Sequence, residues 1–284
     1  MKLIRFGEPG KEKTGIIIND KNYDTSAFRE DYNERFFETD GLIRLEKFIN
    51  GNKLPEIPAG TRLGSPLARP SKLVCIGLNY IDHAKETNAT PPPEPVIFMK
   101  ATTAIVGPND NIVIPQNSKK TDWEVELAFV IGKKASYIEE ADAMGYVAGY
   151  VMLNDVSERE FQIERSGQWV KGKSCDTFAP MGPFFATKDE IPDPHSLRLW
   201  LKLNGKTMQD GNTSNFIFNI PTVLSYTSRF MTLLPGDIIS TGTPAGVGLG
   251  MKPNVYLKAG DVLELGIDGL GEARQVLVDY QPSR

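Results

Sequence analysis

The stretch Asp122-Trp123-Glu124-Val125-Glu126-Leu127-Ala128-Phe129-Val130-Ile131 constrains the fold more than any other part of the chain. Trp123, Val125, Leu127, Phe129 and Ile131 recur at every second position, the period of a β-strand with one apolar face. Successive strand side chains point to opposite faces, so Glu124 and Glu126 share the other face. At a rise of roughly 3.4 Å per residue their Cα atoms stand about 7 Å apart. Two carboxylates at that spacing can converge on one cation. Taken alone, the same pair also reads as the wet face of a sheet, so other segments must decide.

The 284 residues allow one large domain, or a large domain beside a small one. A Pro- and Gly-rich stretch carrying Pro55, Pro58, Gly60, Gly64, Pro66 and Pro70 reads as a linker. It divides a small N-terminal domain, 1–70, from a larger domain, 71–284. The chain is 40% hydrophobic and 24% charged, as in soluble globular proteins. A net charge of −4 without a dense Lys/Arg cluster argues against a nucleic-acid partner. No apolar run reaches the about 18 residues of a membrane span. Met1-Lys2-Leu3-Ile4-Arg5-Phe6 passes straight into a strand pattern, so a cytoplasmic protein without a signal peptide is expected. Cys75 and Cys175 make no disulfide framework. Cys75 lies in an apolar run and reads as buried, while Cys175 stays open between a structural and a reactive thiol.

Strand signals fall at 3–6, 15–18, 73–77, 96–99, 112–114, 123–131, 147–154, 197–203, 237–241 and 262–267. Helical signals are fewer. Asp40 is placed to cap a helix that presents Leu42, Leu45, Phe48 and Ile49 on one face and ends before Gly51. Ser157-x-x-Glu160 is a capping box that predicts a helix over 156–165. Pro221 suits the first turn of a helix running to about Met231. These elements do not alternate as βαβ units, which points to a β-rich α+β fold.

Asp155 stands at the end of the 147–154 strand, directly before the predicted cap. With Glu124 and Glu126 it makes three carboxylates on two neighbouring strands. Three oxygen ligands suit Mg²⁺, Mn²⁺ or Ca²⁺ better than Zn²⁺, and the scarcity of His and Cys agrees. A structural reading of Asp155 as a second helix cap remains open. His83 and Glu86 lie three apart, on one face if the segment is helical, where a carboxylate would make the imidazole a better base. A surface histidine with a chance acidic neighbour is the alternative. The following Pro91-Pro92-Pro93 loop belongs to a segment that could act as a lid. His195, in Asp193-Pro194-His195, reads as structural. Lys173 is either a surface lysine or a cation that neutralises a developing oxyanion. The Thr241-Gly242-Thr243-Pro244-Ala245-Gly246-Val247-Gly248 loop lacks the spacing of nucleotide-binding motifs. Its backbone N–H groups and the Thr243 hydroxyl could hold a small carboxylate, or the loop is a structural turn.

Taken in order, Cys75-Ile76-Gly77-Leu78-Asn79-Tyr80, His83-x-x-Glu86, Asp122-x-Glu124-x-Glu126-Leu127, Asn154-Asp155-Val156-Ser157, Lys173-Ser174-x-Asp176-Thr177 and Thr241-Gly242-Thr243-Pro244 resemble the motifs of the fumarylacetoacetate hydrolase family over about residues 70–280. In character the chain is similar to bacterial diketo-acid and sugar-acid hydrolases and to animal fumarylacetoacetate hydrolase domain-containing proteins. The resemblance implies a rolled, mixed β-sheet core with a small N-terminal domain, and a homodimer. It implies Mg²⁺ or Mn²⁺ on Glu124, Glu126 and Asp155. His83 and Glu86 on a lid helix would activate water, and Lys173 would assist. Arg159, Gln162 and Thr243 match substrate-contacting positions. Many acylpyruvase-like members carry Arg where this chain has Leu78. The expected reaction is hydrolysis of a carbon–carbon bond in a 2,4-diketo acid, either an acylpyruvate or a 2,4-diketo-3-deoxy sugar acid. Decarboxylation of oxaloacetate, ureidoglycolate lysis and hydration of a 2-oxo-enoate are rival chemistries for a small 2-oxo-acid substrate. A non-catalytic oxo-acid binder is the rival from outside enzymes.

Overall fold

A computed structural model of the chain describes residues 1–282. Its centre is the strand Val125–Ile131, in which every residue is buried. Val147–Asn154 pairs antiparallel on one side of it and Ile238–Ser240 on the other. Ile238–Ser240 runs parallel to Leu73–Gly77, which pairs antiparallel with Val96–Lys100 at the sheet edge. In the other direction the sheet continues through Phe185–Thr187, Lys2–Phe6 and Lys13–Ile18 to Lys21–Asp24. The N-terminal strands are therefore hydrogen-bonded into the main sheet, with Leu3 opposite Phe185.

A second, five-stranded sheet runs Lys206–Asn212, Arg198–Leu203, Val262–Ile267, Gly271–Asp279 and Ile112–Ile114. The central strand packs on Arg198–Leu203 and Val262–Ile267 of this sheet. Leu127, Phe129 and Ile131 on one face and Ala128 and Val130 on the other are all buried. The expected two-faced pattern therefore fails beyond Glu126: both faces are interior, as in a strand sandwiched between layers. The chain is a strand-rich α+β protein with mixed sheets.

The regular strand begins at Val125, not at Trp123. Just before it the backbone is satisfied by side chains: Glu124 N donates to Asn154 Oδ1 at 3.1 Å and Val125 N to Gln209 Oε1 at 3.0 Å. The helix predicted over 156–165 is also corrected. Ser157 and Glu158 form a two-residue ladder with Asp122 and Thr121, so Ser157 cannot take up a capping position. Its hydroxyl donates to Asp155 O at 3.0 Å, and only a π-helical turn, Glu160–Glu164, follows. Asp40 precedes the helix Gly41–Gly51 but makes no side-chain cap, and Gly51 is the helix's last residue. A short helix that the sequence did not announce, Glu34–Glu38, lies directly upstream. The corner between the two requires glycine at 41, where a Cβ would meet Phe36 at 2.3 Å. The helix Ile220–Ser228 carries Pro221 in its first turn and an Asn219 cap, and it ends three residues before Met231. Among the described residues no helix is long and apolar enough to cross a membrane.

Candidate active site

Three carboxylates meet where the two central strands end. Glu126 is the second residue of its strand, Glu124 directly precedes it, and Asp155 directly follows Val147–Asn154. One oxygen from each of Glu124, Glu126 and Asp155 lies within 4.8 Å of the others, and all three residues are buried. The Asp155 side chain does not cap a helix. It accepts from Lys100 Nζ at 2.6 Å through Oδ1 and from Lys173 Nζ at 2.8 Å through Oδ2. Lys173, far from a surface lysine, is buried and also donates to Glu124 Oε2 at 2.6 Å. Its ammonium lies 4.9 Å from the centroid of the Phe98 ring.

Arg159 completes the charged cluster. Its Nε donates to Asp122 Oδ2 at 2.8 Å, and its Nη2 lies 2.7 Å from both Asp122 Oδ2 and Glu124 Oε1. Those Nη2 contacts are close ion pairs without hydrogen-bond alignment, since Nη2 has no well-directed acceptor among the described residues. Nη1 donates to Gln162 Oε1 at 3.1 Å. Asp122, Glu124, Glu126 and Asp155 thus face three cations, Lys100, Arg159 and Lys173, which leaves one negative charge in excess.

The imbalance falls on Glu126. Burial pushes its carboxyl well above the usual range, and the Asp155 and Glu124 charges push it further. Its Oε2 accepts from Ser240 Oγ at 2.5 Å and from Gly242 N at 3.0 Å, and among the described residues no cation forms an ion pair with it. Glu124 goes the other way: burial alone would raise it, but Lys173 and Arg159 outweigh burial and pull it to about 2. An all-oxygen donor set with a net negative charge fits a hard divalent cation such as Mg²⁺ or Mn²⁺. Such an ion would also relieve the repulsion borne by Glu126.

His83 sits on the short helix Ile81–Glu86 and is buried. Its Nδ1 is 3.5 Å from Glu86 Oε2 but makes no hydrogen bond. The Glu86 carboxylate is instead centred on Gly246 N, 3.0 Å from each oxygen. This belongs to a wider arrangement that corrects the reading of the glycine-rich loop. Gly242 N binds Glu126, Gly246 N binds Glu86, and Gly248 N binds Asp122 Oδ1 at 2.7 Å. The loop's N–H groups hold three of the protein's own carboxylates, not a foreign one. Thr243 lines the cavity, but its hydroxyl donates to Val125 O at 2.9 Å and accepts from Gln209 Nε2 at 2.8 Å.

Glu124, Glu126, His83, Arg159, Gln162, Lys173 and Thr243 all line one cavity of about 220 Å³. Glu86 and Asp155 stand behind its wall as the partners of His83 and Lys173. Sequence reasoning overlooked Lys100, which lies one residue past the strand expected over 96–99, and the part played by Asp122. Its position two residues before Glu124 was the only available signal for Asp122. His195 is structural as expected, its Nε2 accepting from Ile220 N at 3.2 Å. Burial pushes the Cys175 thiol up to about 11, away from a reactive thiolate.

A family model described as fumarylacetoacetate (FAA) hydrolase C-terminal matches residues 72–278. A Burkholderia multivorans protein that carries only a provisional hydrolase name is 51% identical over 278 residues, covering 97% of this chain and 98% of the relative. The structure of a maleylpyruvate hydrolase from Sphingobium sp. SYK-6, in complex with manganese (II) ion and pyruvate, is similar at 30% identity and a TM-score of 0.82, over 99% of this chain and 100% of that one. So is a 2-hydroxyhepta-2,4-diene-1,7-dioate isomerase from Mycobacterium marinum, at 33% identity and a TM-score of 0.78, again over 99% and 100%.

Proposed function

The chain belongs to the fumarylacetoacetate hydrolase family, and we propose that it hydrolyses a carbon–carbon bond of a small 2,4-diketo acid, releasing pyruvate and a carboxylic acid. One observation carries this reading: two members of a buried carboxylate triad, Glu124 and Glu126, line a single cavity with a buried lysine and a buried histidine, and the third, Asp155, stands directly behind its wall. A Mg²⁺ or Mn²⁺ ion on Glu124, Glu126 and Asp155 would supply the positive charge that polarises a bound 2-oxo acid.

The protein's own groups divide the remaining work. Arg159 offers an Nη2 without a well-directed acceptor to the substrate carboxylate. His83 turns Nδ1 toward Glu86, which leaves Nε2 to take a proton from water. The resulting hydroxide adds to the C4 carbonyl, the C3–C4 bond breaks, and its electron pair departs as the pyruvate enolate. Lys173 offsets the enolate's negative charge. The proton held on His83 then returns to the enolate carbon, giving pyruvate. The contact of 3.5 Å between His83 and Glu86 is long for a working dyad, and such pairs often tighten when substrate binds.

The likeness to an isomerase supports a second reading, in which His83 takes a proton from one carbon and returns it to another, and no carbon–carbon bond is cut. Incubating the purified protein and Mg²⁺ with an acylpyruvate, and following products by proton NMR, separates the two. Stoichiometric pyruvate and carboxylate support hydrolysis. A tautomerised substrate of unchanged mass supports isomerisation and refutes the hydrolase reading. A homodimer is also proposed, and light scattering on the purified protein would test it.

A further inference from the structure

The residues lining the cavity are sorted by depth. Those that are buried are, apart from Ile76 and Gly242, polar or charged: His83, Glu124, Glu126, Arg159, Gln162, Lys173 and Thr243. Those partly open to solvent are uncharged, and their only polar side-chain groups are the Thr87 hydroxyl and the Trp169 indole N–H. Leu78, Phe98, Ile163 and Trp169 form most of that outer wall. Ile163 is 49% exposed and stands at the rim of this apolar wall. Leu78 holds a left-handed backbone with φ of 53°, a conformation that leucine rarely adopts. Beside it, Gly77 leaves room for the indole: a Cβ there would come within 2.6 Å of Trp169 Cζ3. Trp169 in turn packs edge-on against Phe98, with ring centroids 5.3 Å apart.

We propose that this outer wall selects substrates whose far end is uncharged and apolar, so that the preferred ligand is a 2-oxo acid with a hydrocarbon tail and not a dicarboxylic acid. The inference rests on the proposed 2-oxo-acid site and names its substrate class. The Arg and Lys that line the cavity belong to its floor, where Arg159 is assigned to the 2-oxo acid's own carboxylate and Lys173 is engaged with Glu124 and Asp155. A second carboxylate at the mouth would lose water against Leu78, Phe98 and Ile163 and meet no cation among the lining residues, with a neutral N–H from Trp169 as its best donor. A methyl-ended tail loses nothing there, and each methylene buried tightens binding by about fourfold. The volume of about 220 Å³ limits that tail to a short one, since ordinary ligand pockets span about 300–1,000 Å³.

Binding, not turnover, tests this. Isothermal titration of the Mg²⁺-supplemented protein with 2-oxohexanoate and with 2-oxohexanedioate compares equal chain lengths that differ only at the far end. The expected result is at least tenfold tighter binding of 2-oxohexanoate. Ile163→Lys, at a half-exposed rim position where folding is not at risk, should narrow or invert that ratio. Leu78→Arg should do the same by a second route. Equal or tighter binding of the dicarboxylate by the wild-type protein, or no binding of either acid, overturns the inference. Failure of the hydrolase reading alone would look different: the tail preference would persist while no acylpyruvate is cleaved.

Discussion

Replacing Lys173 by methionine removes one ammonium from between Glu124 and Asp155, where it stands 2.6 and 2.8 Å from their oxygens. Losing one partner of a buried pair typically costs about 3–5 kcal/mol, because the other charge stays buried. Here the lower end applies, since Glu124 keeps Arg159 and Asp155 keeps Lys100. A chain of 284 residues unfolds with an entropy of about 600 cal/mol/K at roughly 2.1 cal/mol/K per residue, so about 3 kcal/mol lowers Tm by about 5 °C. The assay is thermal unfolding in chelator, repeated with Mn²⁺. An ion at a concentration one hundred times its Kd restores about 2.7 kcal/mol, nearly the whole deficit. Lys173→Met should therefore melt about 5 °C below the wild type in chelator and gain more from Mn²⁺ than the wild type does. A variant that melts within about 1 °C of the wild type in chelator would refute the claim that Lys173 balances the buried carboxylates. A deficit that Mn²⁺ leaves untouched would refute cation binding by the cluster.

Other consequences follow from the same geometry. His83→Gln should lower kcat by about 10²–10⁴ while divalent-cation affinity stays within twofold, as read by steady-state kinetics beside calorimetry. Because the folded-state value of Glu124 is depressed from 4.5 to about 2, its stabilisation is present above pH 4.5 and is lost as pH falls toward 2. Glu124→Gln should flatten that acid limb, as urea midpoints measured from pH 6 to pH 2.5 would show. Asp122→Asn removes the negative charge opposite Arg159 and weakens the acceptor for Gly248 N and Leu249 N. It should cost about 2–3 kcal/mol of stability and raise KM more than it lowers kcat.

How much of this was readable in advance differs from residue to residue. The central strand was legible from its period of two, because Val125, Leu127, Phe129 and Ile131 alternate along it and are all buried. Its starting point was not, because the amides of Glu124 and Val125 are satisfied by Asn154 and Gln209, side chains distant in sequence. The carboxylate triad could be proposed from spacing and from the scarcity of soft ligands. The burial of Lys100 and Lys173 could not, since a lysine becomes an interior residue only when carboxylates 49 and 55 residues away meet it. Ser157-x-x-Glu160 satisfied every local rule for a helix start and still failed, because pairing with Asp122 claimed Ser157 first. The glycine-rich loop was recognised as a set of N–H donors. That its anions are the chain's own Glu126, Glu86 and Asp122 depends on tertiary contacts that local sequence does not carry.

The central claim is that the Glu124, Glu126 and Asp155 cluster makes the cavity a pyruvate-releasing site. Its most direct test is the rate of pyruvate release from an acylpyruvate by the Glu124→Ala, Glu126→Ala double variant, with circular dichroism confirming that the variant is folded. The account predicts metal-dependent release by the wild-type protein and none above background in the variant. Pyruvate release that survives in the folded variant would contradict it.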